Sequence, residues 1–304
     1  MSSRFSKSQL SQKLNWGSLD TNYLEHIITL SKKEDLGGLG LLRFRESNTL
    51  QDLSSDLISS LKHGSALIVA RTPCIACGVK LIPMILKTYD PNLIFESFIS
   101  DGDYVSDSSE FGVIKGPASS LLSAERIILN FLQYLSGIAS NTKRFTDCLK
   151  GSSTRLLDTR KTTPLFRMLE KYAFTCGGGF NHRYGLFDRI MIKDNHLASL
   201  KSNTKEIDDL QKKFPNTPIH IEVDNLEQID LALSAGADCV LLDNFSIEQL
   251  KAAISLIKNQ AYIEASGGVT LDILPRIKDL GLDFISTGAP IHQSQWVDIG
   301  LDWE

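Results

Sequence analysis

Residues 155–163 read R-L-L-D-T-R-K-T-T, and residues 189–194 read R-I-M-I-K-D. Each stretch begins as a short apolar run of strand character and ends in a cluster of charge. A glycine-rich segment at residues 176–183, C-G-G-G-F-N-H-R, lies between them. Five potential cations follow the runs or lie in that segment: Arg160, Lys161, His182, Arg183 and Lys193. This clustering predicts a basin that binds an anion, around which the rest of the chain is organised.

From residue 155 onward, apolar runs and helical patterns alternate. The runs are at residues 156–157, 190–192, 219–223, 239–242, 262–265 and 284–285. The helical patterns between them are at residues 164–174, 225–235, 246–257 and 270–280. Strict alternation predicts parallel strands joined by helical crossovers. About six strands, with no G-x-G-x-x-G turn after the first, favour a (β/α) barrel over a Rossmann sheet.

The first part of the chain has a mixed pattern of strands and helices, which fits an α/β sandwich. Its clearest element is a helix at residues 119–150, where apolar residues recur at i, i+3 and i+4. Arg126 lies off that apolar stripe.

Composition narrows the class of protein. With 304 residues, 42% of them apolar, the chain is long enough for a well-buried core. A net charge of −4 gives no basic surface for nucleic acid, and no window has the ~20 apolar residues of a membrane helix. Five scattered cysteines, without a secretory signal, indicate reduced thiols and a cytoplasmic setting.

In a barrel, functional residues lie where the strands end. Each apolar run here ends in charged or small polar residues that could contact a ligand. In chain order they are Asp158 with Arg160 and Lys161, then Lys193, Glu222, Asp243, Ser266 with Gly267 and Gly268, and Ser286 with Gly288. Glu222 and Asp243 could hold Mg²⁺ through water or bind sugar hydroxyls. They could equally neutralise Lys161 and Lys193.

Two small-residue loops follow the last strands. Ser266-Gly267-Gly268 precedes a helix start, where free backbone amides favour a phosphate. Ser286-Thr287-Gly288-Ala289 is a second such loop on the same side. Paired loops after the last strands are where barrels often bind phosphate. These features predict a site for a phosphorylated sugar, a metal and a second, strongly anionic ligand.

Several motifs together resemble the quinolinate phosphoribosyltransferase family. They are D-T-R-K-T-T-P from Asp158, C-G-G-G-F-N-H-R from Cys176, I-K-D-N-H from Ile192, I-E-V-D-N from Ile221, L-L-D-N-F from Leu241 and E-A-S-G-G-V from Glu264. The segment from Leu121 to Ala139 is similar to that family's central helix. The resemblance covers about residues 30 to 300.

The resemblance implies a reaction of quinolinate with phosphoribosyl pyrophosphate, giving nicotinate mononucleotide, pyrophosphate and CO₂ with Mg²⁺. It implies that one group of residues holds the pyridine dicarboxylate and phosphates: Arg160, Lys161, His182, Arg183 and Lys193. It places Glu222 and Asp243 against the ribose and Mg²⁺-pyrophosphate, so these two and Lys161 and Lys193 form the expected catalytic set. The 5′-phosphate is expected at Ser266, Gly267, Gly268 and Gly288, with Thr159 and Ala289 completing the substrate-binding set.

The resemblance also implies a type II phosphoribosyltransferase fold and at least a homodimer. Residues 1–125, completed by 293–304, would form the N-terminal α/β sandwich, and residues 126–292 an incomplete (β/α) barrel. Arg126 would enter the active site of the partner subunit. The alternation at residues 297–301 is typical of a strand that returns to the sandwich.

The chain departs from the family pattern in three places. Leu165 stands where the family usually has Gly after T-T-P. The family's G-D-x-T segment is not visible at residues 38–43. Near the C-terminus, Gly288-Ala289-Pro290-Ile291-His292-Gln293 replaces G-A-L-T-H-S, which affects the expected phosphate loop.

Three other functions are compatible with the residues. The first is a paralogous phosphoribosyltransferase with another acceptor, such as nicotinate. The second is a Schiff-base aldolase that uses Lys161 or Lys193, which requires a desolvated, neutral lysine. The third is a nucleotide-binding scaffold without catalysis.

Overall fold

The computed structural model describes residues 4–42, 50–57, 62–193 and 205–304. Asp194, the last residue of the second charged cluster, lies outside these ranges, as does Arg43 at the end of the segment where the family has G-D-x-T. Contacts divide the chain into two compact units. One comprises Asn15–Asn141 and Ser294–Glu304, and the other comprises the N-terminal residues as far as Leu14 together with Thr142–Gln293.

The helices are α1 (Lys7–Leu10), α2 (Thr21–Gly37), α3 (Ile82–Tyr89), α4 (Ala118–Cys148), α5 (Arg167–Cys176), α6 (Lys205–Lys213), α7 (Ile229–Ser234), α8 (Ile247–Ile257), α9 (Leu274–Ile277) and α10 (Ala289–His292). The strands are β1 (His63–Ala70), β2 (Cys74–Ile75), β3 (Ile94–Ser97), β4 (Tyr104–Val105), β5 (Glu110–Pro117), β6 (Arg155–Leu157), β7 (Ile190–Ile192), β8 (Ile219–Val223), β9 (Cys239–Asp243), β10 (Tyr262–Ser266), β11 (Phe284–Ser286) and β12 (Ile299–Trp303). None of these helices combines the length and the hydropathy that spanning a bilayer requires.

The unit that contains Asn15–Asn141 is built on an antiparallel sheet with the strand order β12-β1-β5-β3. The apolar stripe of α4 is buried, as at Ile128, Leu132 and Leu135. Gly137 allows the C-terminal segment to pass directly against α4, because a Cβ at this position would lie 2.2 Å from the Gln295 carbonyl oxygen. The last strand therefore joins the sheet of this unit.

The unit boundaries differ from those predicted at residues 125 and 293. The first part of α4, as far as Asn141, groups with the antiparallel sheet. The N-terminal residues as far as Leu14 group with the parallel strands instead, because Leu10 is fully buried there. Its neighbours are Leu157, Cys239, Tyr262 and Phe284.

The second unit confirms the predicted parallel barrel. Its six strands coincide with the six apolar runs and follow the order β6-β11-β10-β9-β8-β7, with every pair parallel. Among the described residues, β6 and β7 form the two edges and do not pair with each other. Phe180 instead forms an isolated parallel bridge with Leu157 of β6. The barrel is thus incomplete at this seam.

The strand register determines which residues face the barrel interior. His220 pairs with Met191 and Cys239, and Cys239 pairs with Tyr262. Because Cys239 and Tyr262 belong to the buried cluster with Leu10, this face points inward. Side chains alternate between faces, so the inward series continues two residues later on every strand. It reaches Lys193, Glu222, Leu241 and Glu264, and then Asp243 and Ser266.

The N-terminal segment closes the end of the barrel where the strands begin. Arg4 forms a salt bridge of 2.7 Å with Asp238, the residue before β9. Lys7 lies 3.4 Å from Asp283, the residue before β11. Arg189, just before β7, donates to the Leu10 carbonyl oxygen at 2.8 Å. The predicted site residues that end the strands lie at the opposite end of the barrel. His182 does not, because it lines a cleft with Phe5, Gln9 and Gln12 of the N-terminal segment.

Candidate active site

The last inward-facing positions of neighbouring strands carry the predicted catalytic groups. Lys193 Nζ lies 2.9 Å from Glu222 Oε1 and 3.1 Å from Oε2, so this ion pair joins the carboxyl ends of β7 and β8. Asp243 on β9 is two residues beyond Leu241, the partner of Glu222 in the sheet. Glu222 and Asp243 therefore face the same side of the barrel.

Asp243 is also adjacent to the first small-residue loop, Ser266-Gly267-Gly268. It pairs directly with Ser266 across β9 and β10. The next residue, Asn244, has a left-handed φ of 57° and its amide donates to the Ser266 carbonyl oxygen at 2.9 Å. Gly267 is required here, because a Cβ would lie only 2.2 Å from Asn244 Oδ1. Gly268 faces open space, with no atom within 4 Å of a Cβ built on it.

The second small-residue loop, Ser286-Thr287-Gly288-Ala289, contacts the loop that follows β6. The Thr287 amide donates to the Leu157 carbonyl oxygen at 3.0 Å. A Cβ at Gly288 would lie 3.0 Å from Thr159 Oγ1 and 3.1 Å from Lys161 Cδ. The Ala289 amide donates to Thr287 Oγ1 at 3.2 Å. Thr159, Lys161, Gly288 and Ala289 are thus neighbours.

Of the departures from the family pattern, Pro290 fits the backbone and Leu165 is strained by it. Pro290 lies in the first turn of α10, where a missing amide proton leaves no intrahelical hydrogen bond unmade. Leu165 adopts a left-handed φ of 69° and is exposed. A Gly at that position would take this conformation without steric cost.

The glycine-rich segment before Arg183 is held by a buried ion pair. Asp158 and Lys171 are fully buried, with 2.5 Å between Oδ1 and Nζ. Asp158 also accepts from the Asn181 side chain at 2.7 Å and from the His182 amide at 2.8 Å. Asp158, which the sequence groups with the cations of the site, therefore has a structural role beneath them.

Arg160 and Arg183 share one electrostatic environment. Burial lowers the pKa of the Arg183 guanidinium, and the positive charge of Arg160 lowers it further, while Glu222 opposes both effects. Mutual repulsion between two guanidinium groups is relieved by a bound anion. His182, next to Arg183, is 6% exposed, and its Nδ1 accepts from the Arg183 amide at 2.7 Å.

Arg126 is not among the residues brought together in the barrel. It lies on α4 within the other compact unit, and its side chain is exposed.

Two sets of residues are chemically suited to a metal ion. Glu222 and Asp243 offer carboxylate oxygens on one face, which suits Mg²⁺ bound through water. Deeper in the barrel, one atom each of His182, His220 and Glu264 lie within 4.8 Å of one another. Arg189 is buried and interacts electrostatically with Glu264. Its fixed positive charge opposes a second cation at this deeper set.

Some residues that support the site went unrecognised in the sequence. Lys171 and Glu264 each interrupt an apolar pattern in the sequence. A charge at such a position is expected to be buried and therefore to need a partner, which is the signal that could have identified them. The contact of residues 4–14 with the barrel left no comparable signal.

Comparisons with known proteins settle the family. The model of the quinolinate phosphoribosyl transferase C-terminal domain matches residues 138–302, and that of the N-terminal domain matches residues 52–136. The chain belongs to the quinolinate phosphoribosyltransferase family. A probable nicotinate-nucleotide pyrophosphorylase [carboxylating] of Bacillus subtilis is 38% identical over 85% of this chain and 90% of its own.

Further relatives of the quinolinate phosphoribosyltransferase family agree in sequence and in fold. A probable nicotinate-nucleotide pyrophosphorylase [carboxylating] of Synechocystis is 37% identical over 82% of this chain and 86% of its own. The solved nicotinate-nucleotide pyrophosphorylase of Francisella tularensis is 32% identical, with a TM-score of 0.87 over 96% of this chain and all of its own. The predicted type II phosphoribosyltransferase fold is thereby confirmed.

Proposed function

We propose that this protein transfers the phosphoribosyl group of phosphoribosyl pyrophosphate to quinolinate, releasing pyrophosphate and CO₂ and forming nicotinate mononucleotide. Membership of the family carries this proposal, and the arrangement of charge at the barrel mouth supports it. Quinolinate is a planar dicarboxylate, for which arginine supplies paired donors. Arg160 and Arg183, whose charges repel each other, are proposed to bind it with Lys193. His182 is proposed to support Arg183, because its Nδ1 accepts from the Arg183 amide.

The phosphoribosyl donor is proposed to lie across the last strands. Its 5′-phosphate would contact Ser266, Gly267, Gly268, Gly288 and Ala289, in the two small-residue loops that follow the last strands. Open space at Gly268 supports this placement. Asp243, paired with Ser266 in the sheet, would then reach the ribose. Thr159 and Lys161, beside Gly288, would complete the phosphate contacts.

The residues suit the chemistry of the transfer. Displacement of pyrophosphate from an anomeric carbon passes through an oxocarbenium-like state, so positive charge develops on the ribose and negative charge on the leaving group. Glu222 and Asp243 would stabilise the ribose, while Lys161 and Lys193 would stabilise the anions. Loss of CO₂ breaks the bond between C2 and its carboxylate, and the positive charge of the adjacent pyridinium nitrogen stabilises the electron pair left on C2. A proton from water then takes the place of the carboxylate. The protein then supplies mainly orientation and electrostatics.

Mg²⁺ is the proposed cofactor. When bound with pyrophosphate, it neutralises the charge of the leaving group. Glu222 and Asp243 are proposed to hold it through water. The deeper His182, His220 and Glu264 set is not proposed as its site, because nitrogen ligands suit Mg²⁺ poorly.

We further propose a homodimer or higher homo-oligomer in which Arg126 enters the partner subunit's site. Its exposure on α4 supports this role. The test mixes two inactive proteins, Arg126→Ala and Lys161→Ala, under conditions where subunit exchange is verified. A shared site predicts recovery of up to about a quarter of the wild-type activity, from the mixed dimers that hold one intact site. No recovery after exchange would exclude it.

A Schiff-base aldolase is disfavoured by the contacts of Lys193. Lys193 is half exposed and forms an ion pair with Glu222 at 2.9 Å, whereas a Schiff-base lysine lies in a desolvated pocket. Borohydride trapping of a carbonyl substrate on Lys161 or Lys193 would reverse this preference.

The choice of acceptor distinguishes the proposal from a nicotinate-using paralogue. The protein is incubated with phosphoribosyl pyrophosphate, Mg²⁺ and either quinolinate or nicotinate, and nicotinate mononucleotide is measured by chromatography. Turnover with quinolinate and none with nicotinate is expected. Turnover with nicotinate alone would assign the paralogue, and binding of both substrates without product would indicate a non-catalytic scaffold.

A further inference from the structure

Glu264 is a charged residue that the proposed chemistry does not use. It is fully buried, faces the barrel interior, and lies one inward position below Ser266 on β10. Its Oε2 is 3.3 Å from His182 Nε2 and 3.5 Å from His220 Nδ1. Burying an isolated carboxylate costs free energy of folding, so the partners of Glu264 indicate why it is buried.

The contact of His182 with the Arg183 backbone amide determines which ring nitrogen of His182 carries the proton. A backbone amide always donates, so the 2.7 Å contact from the Arg183 amide requires a lone pair on His182 Nδ1. Burial lowers the pKa of His182, which favours the neutral ring. A neutral ring with a bare Nδ1 carries its proton on Nε2. That is the nitrogen that faces Glu264.

The contact between Glu264 and His182 is electrostatic more than it is a well-formed hydrogen bond. At 3.3 Å it is longer than most N–H···O hydrogen bonds. A carboxylate at this distance nevertheless favours a proton on Nε2 and disfavours a lone pair there. Glu264 therefore selects the same ring tautomer that the Arg183 amide requires.

The backbone of His182 is held in place independently of Glu264. Its backbone amide donates to Asp158 Oδ1 at 2.8 Å, and Asp158 pairs with Lys171. Loss of the Glu264 charge would thus leave this backbone contact in place. It would release the ring, and with it the acceptor for the Arg183 amide.

We infer that Glu264 is a positioning residue for Arg183. Its carboxylate fixes the Nε2-protonated tautomer of His182, and the bare Nδ1 then holds the backbone from which the Arg183 guanidinium extends. The functional consequence rests on the proposed binding of quinolinate by Arg183. The tautomer itself does not depend on that function.

The first test needs no substitution. Protein labelled with ¹⁵N-histidine is examined by long-range ¹H–¹⁵N NMR at pH 7.5, with His182 assigned by its loss in His182→Gln. A proton on Nε2 and none on Nδ1 is expected. A proton on Nδ1, or a ring protonated on both nitrogens, would overturn the inference whatever the enzyme's activity.

The second test separates positioning from a general effect on folding. Glu264→Gln keeps the shape of the side chain and removes its charge. We expect it to raise the KM for quinolinate about tenfold or more, to change the KM for phosphoribosyl pyrophosphate by less than about twofold, and to shift the His182 ring away from the single tautomer. Asp238→Asn is the matched control, because Asp238 is a buried carboxylate that contacts Arg4 at the opposite end of the barrel. It is expected to lower stability without the selective change in KM.

Three results would contradict the inference. One is an unchanged KM for quinolinate in folded Glu264→Gln protein, and another is an equal rise in both KM values. The third is one equivalent of zinc in the purified wild type that is lost in Glu264→Gln, because His182 Nε2 would then be a metal ligand without a proton. If the wild-type protein itself does not turn over but its NMR spectrum shows the expected tautomer, the failure lies with the proposed reaction and not with the positioning of His182.

Discussion

Lys193 and Glu222 form an ion pair, with 2.9 Å between Nζ and Oε1, that joins the carboxyl ends of two neighbouring barrel strands. Lys193 is half exposed, so its interaction with Glu222 contributes little to stability. Both residues occupy the last inward-facing positions of their strands. The pair is therefore better explained by ligand binding at the barrel mouth than by folding.

Replacing Lys193 by Met is expected to lower kcat/KM by about 10²–10³, the usual cost of one electrostatic contact to developing charge. Glu222 would also be left unpaired facing anionic substrates. Steady-state kinetics and thermal unfolding measure the two effects, and the unfolding temperature should stay within about 2 °C of the wild type. Lys251→Met, an exposed lysine on α8, is the control. A fall of less than about fivefold for Lys193→Met would show that this cation is dispensable.

Gly267 and Gly268, the two adjacent glycines of the first small-residue loop, should respond differently to replacement by alanine. Gly268 has a φ of 59° and open space around it. Gly268→Ala should therefore lower the free energy of unfolding only by the strain of a left-handed alanine, about 1–2 kcal/mol. Its methyl group would enter the proposed phosphate space and raise the KM for phosphoribosyl pyrophosphate about tenfold. Gly267→Ala would add a clash with Asn244 and cost a further 1–3 kcal/mol or so. Equal stability of the two variants in urea unfolding would contradict this packing.

Leu165→Gly is expected to stabilise the protein by up to about 1 kcal/mol, because Leu165 has a φ of 69° and is exposed. Relief of left-handed strain exceeds the extra entropy of glycine in the unfolded chain. Leu165→Ala retains the Cβ and therefore the strain, which makes it the matched comparison. Urea unfolding should rank the glycine variant above the alanine variant, and the reverse order would mean that Leu165 makes contacts worth more than its strain.

Cys74 should give the protein a measurable pH dependence. Burial raises the pKa of its thiol from 9.0 to about 11. Below pH 9 both states keep the proton, and as pH rises toward 11 the unfolded chain loses it first, so stability falls. Between pH 8 and pH 10 the wild type should lose about 1.4 kcal/mol relative to Cys74→Ala. Replacement of the half-buried Cys148 by Ala is the control. If the free energy of unfolding depends on pH in the same way in wild type and Cys74→Ala, the raised pKa of Cys74 is refuted.

The sequence predicted the barrel well because its strands are short apolar runs with charges at their ends. Each of the six runs became a strand, and the period-two alternation placed Lys193, Glu222, Asp243 and Ser266 on one face. Helix α6 was not predicted, because Lys205–Lys213 is almost wholly polar and only Ile207 is buried. Local pattern does not report on contacts between distant segments.

The buried charges near the site also show that local sequence pattern does not reveal contacts between distant segments. Glu264 and Lys171 are visible in the sequence as charges in apolar surroundings, but their partners come from other strands and loops. Asp158 follows a strand in the same way as the site residues, yet its carboxylate pairs with the buried Lys171 of α5. Distinguishing a ligand-binding charge from a structural one required the distances.

The central claim is that two anions react at the open end of the barrel, and release of labelled CO₂ tests it most directly. Quinolinate carrying ¹⁴C in its 2-carboxyl group is incubated with the protein, phosphoribosyl pyrophosphate and Mg²⁺, and the released ¹⁴CO₂ is compared with the pyrophosphate formed. We expect one CO₂ per pyrophosphate, and none when either substrate is omitted. Pyrophosphate release without CO₂, or CO₂ release without phosphoribosyl pyrophosphate, would contradict the account.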